Sequence, residues 1–276
     1  MRLPYPTLWF LSCLLLNGAA QAHATGPELP AWQTLELQQQ AMWVIAKSQI
    51  TLTSAPDQPG QWLLSANSSV ARNTEEVSLY LQAENGRAIS RSRLSRGKNQ
   101  RFKTYEYTPG YVLRERHEPD SAAQLPASQW PLTSRTKIAY PGELDNRVVT
   151  NARALLILAE RFRKDSANTA EVAVHTDMNF YLVTMRRGED THIEVNYQLA
   201  NKGEVTGNKT AQTVILQVTQ LGEATDKADF SLMGLSSDIS LLFDAESGLL
   251  LQLRGIAPRI GQTEINLASA TLRTPK

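Results

Sequence analysis

The chain has 276 residues, with 28 Lys or Arg against 27 Asp or Glu and 42% hydrophobic residues. That balance excludes a disordered, collagen-like or broadly basic chain, and the length is enough for one sizeable hydrophobic core. The single cysteine, Cys13, cannot form an internal disulfide or a cysteine metal cluster.

Residues 1–22 read as a cleaved export signal. Arg2 supplies the positive start, residues 7–16 the apolar run, and Ala20-Gln21-Ala22 the small-residue cleavage site. The run is about ten residues, half of the roughly twenty that cross a bilayer as a helix. Cleavage after Ala22 makes the protein periplasmic, removes Cys13 and leaves no transmembrane span. Phe10-Leu11-Ser12-Cys13 faintly resembles a lipid-attachment box, but the apolar run continues through Leu14, Leu15 and Leu16, so a cut there would bisect it.

The mature chain, 23–276, reads as one β-rich domain. Its N-terminal meander spans 32–116, where apolar and polar residues alternate with the period of half-buried strands. Leu35 and Leu37 lie in one run, SQITLT and QWLLSA form the next two, and EVSLYLQA alternates Val77, Leu79 and Leu81 with Ser78, Tyr80 and Gln82. Asp57-Gln58-Pro59-Gly60, Arg72-Asn73-Thr74 and Glu84-Asn85-Gly86 mark the turns. Trp32, Trp43 and Trp62 are candidates for the core.

Residues 87–103 (RAISRSRLSRGKNQRFK) hold seven Arg or Lys and no acid. As a hairpin turning at 95–99, one strand sets Arg91 and Arg93 on one face, and the other sets Arg101, Lys103, Tyr105 and Tyr107 together. The functional reading is a site for an anionic group formed by Arg91, Arg93, Arg101, Lys103 and Tyr105. Export argues against nucleic acid and for phospholipid head groups, lipopolysaccharide phosphates or acidic polysaccharide, which arginine grips with paired hydrogen bonds. The plainer reading is a solvated strand face neutralised by Glu75 and Glu76 on the preceding strand.

Residues 117–147 form a long, proline-rich connection with a short strand expected at 136–140. It serves as a linker or a lid. A helix follows over 148–164, where Val148, Ala152, Leu155, Ala159 and Phe162 make an apolar stripe. Asp145 or Asn146 is the expected cap, and Arg161, Arg163 and Lys164 complement the dipole at its end. Strands resume over 169–273, with hairpins expected at Arg187-Gly188-Glu189-Asp190 and at 244–248. The fold class is therefore mainly β, a large curved antiparallel sheet or half-barrel with one main α-helix packed against it.

The helix NARALLILAERF, the following EVAVHTDMNFYLV, and the ending FDAESGLLLQLRGIAPRIGQTEINL with its Pro258 and Gly261 resemble an uncharacterised family of secreted bacterial proteins known only as a domain of unknown function. A remoter likeness is to periplasmic lipoprotein and lipid carriers, whose half-barrels hold acyl chains beneath a helix. The resemblance rests on the order of elements and implies no catalytic residue.

No catalytic constellation emerges from the residues themselves. His175 lies two residues from Asp177, and His192 two from Glu194; these are zinc-ligand types. A hairpin at Arg187-Gly188 would set His192 opposite about Thr184, away from His175, so no metal is expected. GLSSDIS lacks the second glycine of a nucleophile elbow, and there is neither a phosphate loop nor a dinucleotide fingerprint, so no cofactor is expected. The sequence thus points to a periplasmic non-enzymatic binding protein for an apolar or amphipathic envelope component, a lipid or a lipoprotein acyl chain. The alternatives are an assembly factor docking another envelope protein and a polysaccharide-acting hydrolase, whose two carboxylates need not be close in sequence.

Overall fold

The computed structural model describes residues 29–41, 44–120, 125–144, 147–223 and 228–273. The export signal, Cys13, Trp43 and the expected caps Asp145 and Asn146 lie outside the described residues.

The N-terminal meander comprises β1 (Trp32–Ala41), β2 (Val44–Ser54), β3 (Gln61–Val70), β4 (Asn73–Gln82), β5 (Ala88–Arg96), β6 (Arg101–Tyr107), β7 (Tyr111–His117) and β8 (Leu132–Ala139). A short strand β9 (Val149–Thr150) leads through a 3-10 turn, Ala152–Ala154, into α1 (Leu155–Lys164). The second half adds β10 (Thr169–His175), β11 (Phe180–Arg187), β12 (Thr191–Leu199), β13 (Gly203–Leu221), β14 (Ser237–Asp244), β15 (Leu250–Ala257) and β16 (Gly261–Leu272). All join one sheet in the order β8-β7-β6-β5-β4-β3-β2-β1-β16-β15-β14-β13-β11-β10-β9, with β12 paired to β13 and β16.

The mainly β, strongly curved sheet agrees with the alternating sequence. Leu35, Leu37, Ile50, Leu52, Leu64, Leu79 and Leu81, spread over four neighbouring strands, are all fully buried on the inner face. Two expectations need correction. The stretch 187–190 does not close a hairpin between β11 and β12. Both strands instead pair with the long β13, β12 along its first half and β11 along its second, so His192 faces Thr210. The helix starts later than residue 148, because the β-branched pair Val149-Thr150 bonds parallel to Ala173 and Val174 and the Thr150 hydroxyl donates to the Gly86 carbonyl at 2.6 Å. Asn151 then caps the 3-10 turn, its side-chain oxygen accepting from the Arg153 amide.

The helix fills one end of the curled sheet. Leu155, Leu156, Ile157, Ala159 and Phe162 are buried, and each large apolar side chain so placed contributes roughly 1.5–3 kcal/mol. Buried Glu160 accepts from the Trp32 indole at 3.0 Å and pairs with Lys164 at 3.2 Å. At the helix C-terminus Arg161 donates to the Ala83 carbonyl and lies over the Trp62 ring, while Arg163 donates to Gln212. Trp32 and Trp62 are core residues. The room beneath the helix that the likeness to lipid carriers implies is thus packed with the helix's own side chains at this end, and the open space lies at the other.

Along the antiparallel order, the β1–β2, β3–β4, β5–β6, β7–β8 and β15–β16 connections all leave the sheet at that other end, as do the β10–β11 turn and the β13–β14 connection. We refer to it as the mouth.

Candidate functional site

The basic hairpin expected at 87–103 is formed by β5 and β6, and its alternation decides which cations turn inward. Lys103, Tyr105 and Tyr107 are buried, and Glu106 between them is exposed. Across the ladder Arg91 stands opposite Tyr105, Arg93 opposite Lys103, and Tyr105 opposite Arg114 on β7. The inner face therefore carries a band of cations just above the helix.

That band faces the β10–β11 turn from across the curled sheet. Asp177 receives Lys103 Nζ and the Tyr105 hydroxyl, each at 2.5 Å, and Arg114 Nε at 2.8 Å. Burial alone would raise the Asp177 carboxyl, but donors from Arg114, Lys103 and Tyr105 outweigh it and hold the group well below the usual carboxylate range. Burial pushes the Tyr105 phenol up to about 12, so it remains a donor, and pulls the Lys103 ammonium down despite Asp177. These side-chain bonds draw the outer strands of the first half onto the second where no backbone ladder joins them.

Behind Asp177, Asp229 clamps the same turn. Its carboxylate accepts from the hydroxyls of Thr176 (2.5 Å) and Tyr181 (3.0 Å), the Asn179 amide (2.9 Å), and the backbone amides of Asp177 and Met178. Those bonds keep its pKa low against the opposing effect of burial. On the opposite wall Glu75 pairs with Arg93 at 2.5 Å and with Arg153, and Arg96 pairs with Glu76. The neutralisation of the hairpin by Glu75 and Glu76 expected from the sequence is therefore present, but it is partial.

Between these walls lies a cavity of about 760 Å³ at the mouth. Its lining includes seven cations, Arg91, Arg93, Arg96, Lys98, Arg101, Lys103 and Arg153, against the three carboxylates Glu75, Asp177 and Asp229, an excess of four positive charges. The first turn of the helical segment, 151–153, forms part of the lining, so the positive end of the helix dipole points the same way. Arg91, Arg93, Arg101 and Lys103 thus all border one cavity, and Tyr105 lies beneath Arg91, whose guanidinium sits 3.6 Å from the ring centre.

Arg91 is the least compensated of these groups. It is 6% exposed, donates to the Thr176 carbonyl at 2.5 Å, and its Nε has no hydrogen-bond partner among the described residues. No carboxylate pairs with it among the described residues, whereas buried charges in folded proteins are ordinarily paired.

Below Arg91, His175 is fully buried against Tyr105, Tyr107 and Phe180, with ring centres 4.8–5.8 Å away. Burial, then the nearby Arg91 charge, pushes its pKa down to about 3, so the ring is neutral. Its Nδ1 lies 3.3 Å from the Tyr107 hydroxyl. His192 is on β12, far from this cage in the sheet order, and no group of three or more His, Cys, Asp or Glu stands close enough to hold a metal among the described residues. Sequence reasoning missed Arg114, Arg153 and Asp229. Arg114 could have been found from its place two residues after Val112 on the inward face of β7, but a loop aspartate such as Asp229 gives no such signal.

No family model matches the chain, and no curated protein matches it. Among solved structures, the chain is similar to a beta-barrel-like protein of domain of unknown function DUF1849 from Brucella abortus, with a TM-score of 0.51 and 6% identity over 90% of this chain and 100% of that one. The likeness is one of fold: a barrel-like sheet of this kind is the architecture on which the cationic mouth is built.

Proposed function

We propose that this chain is a non-enzymatic, periplasmic binding protein that takes the anionic group of an amphipathic envelope component, a lipid, lipopolysaccharide or acylated protein, into the mouth cavity. The observation that carries this reading is Arg91, a buried guanidinium without a carboxylate partner in the wall of a cavity with four excess positive charges. An anionic group there would supply the countercharge that the buried guanidinium lacks. The helix side chains occupy the space at the opposite end, so the ligand's head enters and its apolar part stays outside. The compartment follows from the export signal expected at 1–22.

Calorimetric titration with monomeric dihexanoyl phosphatidylglycerol, and with the phosphatidylcholine of equal chain length, tests this reading. The anionic lipid binds and the zwitterionic one does not. Arg91→Met removes one charge-assisted hydrogen bond, so affinity falls roughly tenfold to a hundredfold. The variant's stability without ligand is unchanged or higher, since an apolar chain replaces an uncompensated buried charge. Equal binding of both lipids, or an affinity indifferent to Arg91→Met, refutes the proposal.

A further inference from the structure

Six large apolar side chains are exposed among the described residues: Ile45, Val70, Leu125, Leu132, Met178 and Ile260. All six lie at the mouth end of their strands or in the connections that leave there. Isolated exposed apolar residues need no explanation, but six gathered at one end of a barrel do.

Cations gather on part of the same rim. Four mouth turns adjoin one another in the sheet order, those joining β5 to β6, β3 to β4, β1 to β2 and β15 to β16. Their described segments 96–101, 70–73, 44–47 and 258–261 contain Arg96, Arg101, Lys98, Arg72, Lys47 and Arg259, and no acid. Only Arg96 of these six has a carboxylate partner among the described residues. Of the acids at the mouth, Glu75, Glu76, Asp177 and Asp229 are held in the ion pairs and hydrogen bonds described above, and Glu118, Asp120 and Glu223 belong to the β7–β8 and β13–β14 connections on the other side. The exposed Ile45, Val70 and Ile260 therefore sit among the cations of these basic turns.

We infer that the mouth docks on an anionic bilayer surface. Ile45, Val70 and Ile260 enter the headgroup layer, and the basic turns pair with lipid phosphates. Apolar residues set among cations suit that layer, which offers acyl carbon just beneath negative charge. The orientation presents the cavity to the lipid head groups, so the inference deepens the binding reading above, but the docking rests on the rim and not on the cavity.

Co-sedimentation with vesicles containing about one third phosphatidylglycerol, and with pure phosphatidylcholine vesicles, tests it at low and high salt. The native protein binds the anionic vesicles, less so at high salt, and leaves neutral ones in the supernatant. A basic residue near an anionic surface is worth roughly fivefold in partition. The triple variant Lys47→Gln, Arg72→Gln, Arg259→Gln, none of which lines the cavity, therefore loses about a hundredfold. Ile45→Glu with Ile260→Glu also abolishes sedimentation; both sites are about half exposed, at 46% and 51%, so the fold tolerates the change. Both rim variants keep their affinity for monomeric dihexanoyl phosphatidylglycerol, whereas Arg91→Met loses that affinity and still sediments. Equal binding to both vesicles, or rim variants that sediment like the native protein, overturns the docking. Soluble-lipid binding without vesicle binding sinks the docking alone, and vesicle binding without soluble-lipid binding sinks the cavity reading alone.

Discussion

His175 gives the most quantitative prediction for this fold. Its ring is fully buried in a cage of Tyr105, Tyr107 and Phe180 beneath the Arg91 guanidinium, and its Nε2 has no partner among the described residues. Protonating it would place a second cation in an apolar cage, and its pKa falls from the ordinary 6.5 to about 3. Below pH 6.5 the unfolded chain takes up a proton that the folded chain refuses. The contribution is therefore full above that pH and is lost as pH drops toward 3. Each pH unit well inside the window costs about 1.4 kcal/mol, and less near pH 6.5 where the unfolded ring is half protonated, so the free energy of unfolding drops by roughly 2 kcal/mol between pH 6.5 and 4.5 from this residue alone. The depressed Asp177, Asp229, Glu75 and Glu115 carboxyls, ordinarily at 3.8 to 4.5, act mainly below pH 4.5, which leaves the upper window to histidine. Urea unfolding followed by tryptophan fluorescence measures the slope, and His175→Phe, which keeps an aromatic ring in the cage, flattens it. A His175 ring that titrates near 6.5 by NMR, or native and variant slopes that coincide, would refute the buried-neutral assignment.

Asp177→Asn leaves Lys103 and Arg114 facing each other without a countercharge and destabilises the fold by about 3 kcal/mol in urea. Below its unfolding midpoint the same variant binds dihexanoyl phosphatidylglycerol more tightly than the native protein, because the excess charge of the cavity rises by one. Glu160→Ala strands the Trp32 indole N–H in the core and costs about 2 kcal/mol, whereas Glu160→Gln retains an acceptor and costs less than half as much, as thermal unfolding will register. Gly248→Ala forces a left-handed residue (φ +73°) and drives its Cβ into the Arg163 guanidinium. The urea midpoint falls by the equivalent of about 1–2 kcal/mol.

Much of the fold was legible because the sheet is half buried. Alternation in segments such as EVSLYLQA is the direct imprint of one inward and one outward face, and the Gly248 turn between β14 and β15 followed from its residues. Pairing was harder. The sequence around Arg187-Gly188 has the composition of a hairpin, but β13 is 19 residues long and has edge enough for both β11 and β12, a choice made by tertiary packing. The start of the helix was misplaced because the apolar stripe runs back into Val148, and periodicity cannot separate a buried β-branched strand from a first helical turn. The cations of the site were visible in the run 87–103, and Glu75 was named as a neutralising neighbour. Asp177 appeared only as a partner for His175, since nothing local to residue 177 reveals that three donors reach it from β6 and β7. Contacts separated by more than sixty residues leave no local trace.

The first and last strands of the described chain, β1 and β16, lie side by side at the centre of the sheet order, with Trp32 opposite Leu272. A polypeptide emerging from its N-terminus must keep one flank of β1 unpaired until nearly everything else has been made. During that interval β1 and β15 both present naked backbone to other chains, the geometry that seeds intermolecular aggregation. Shortened products ending before Gly261 would remain in that exposed condition permanently, so a helper that shields nascent strands would matter more to this protein than to one whose ends meet only at its margins.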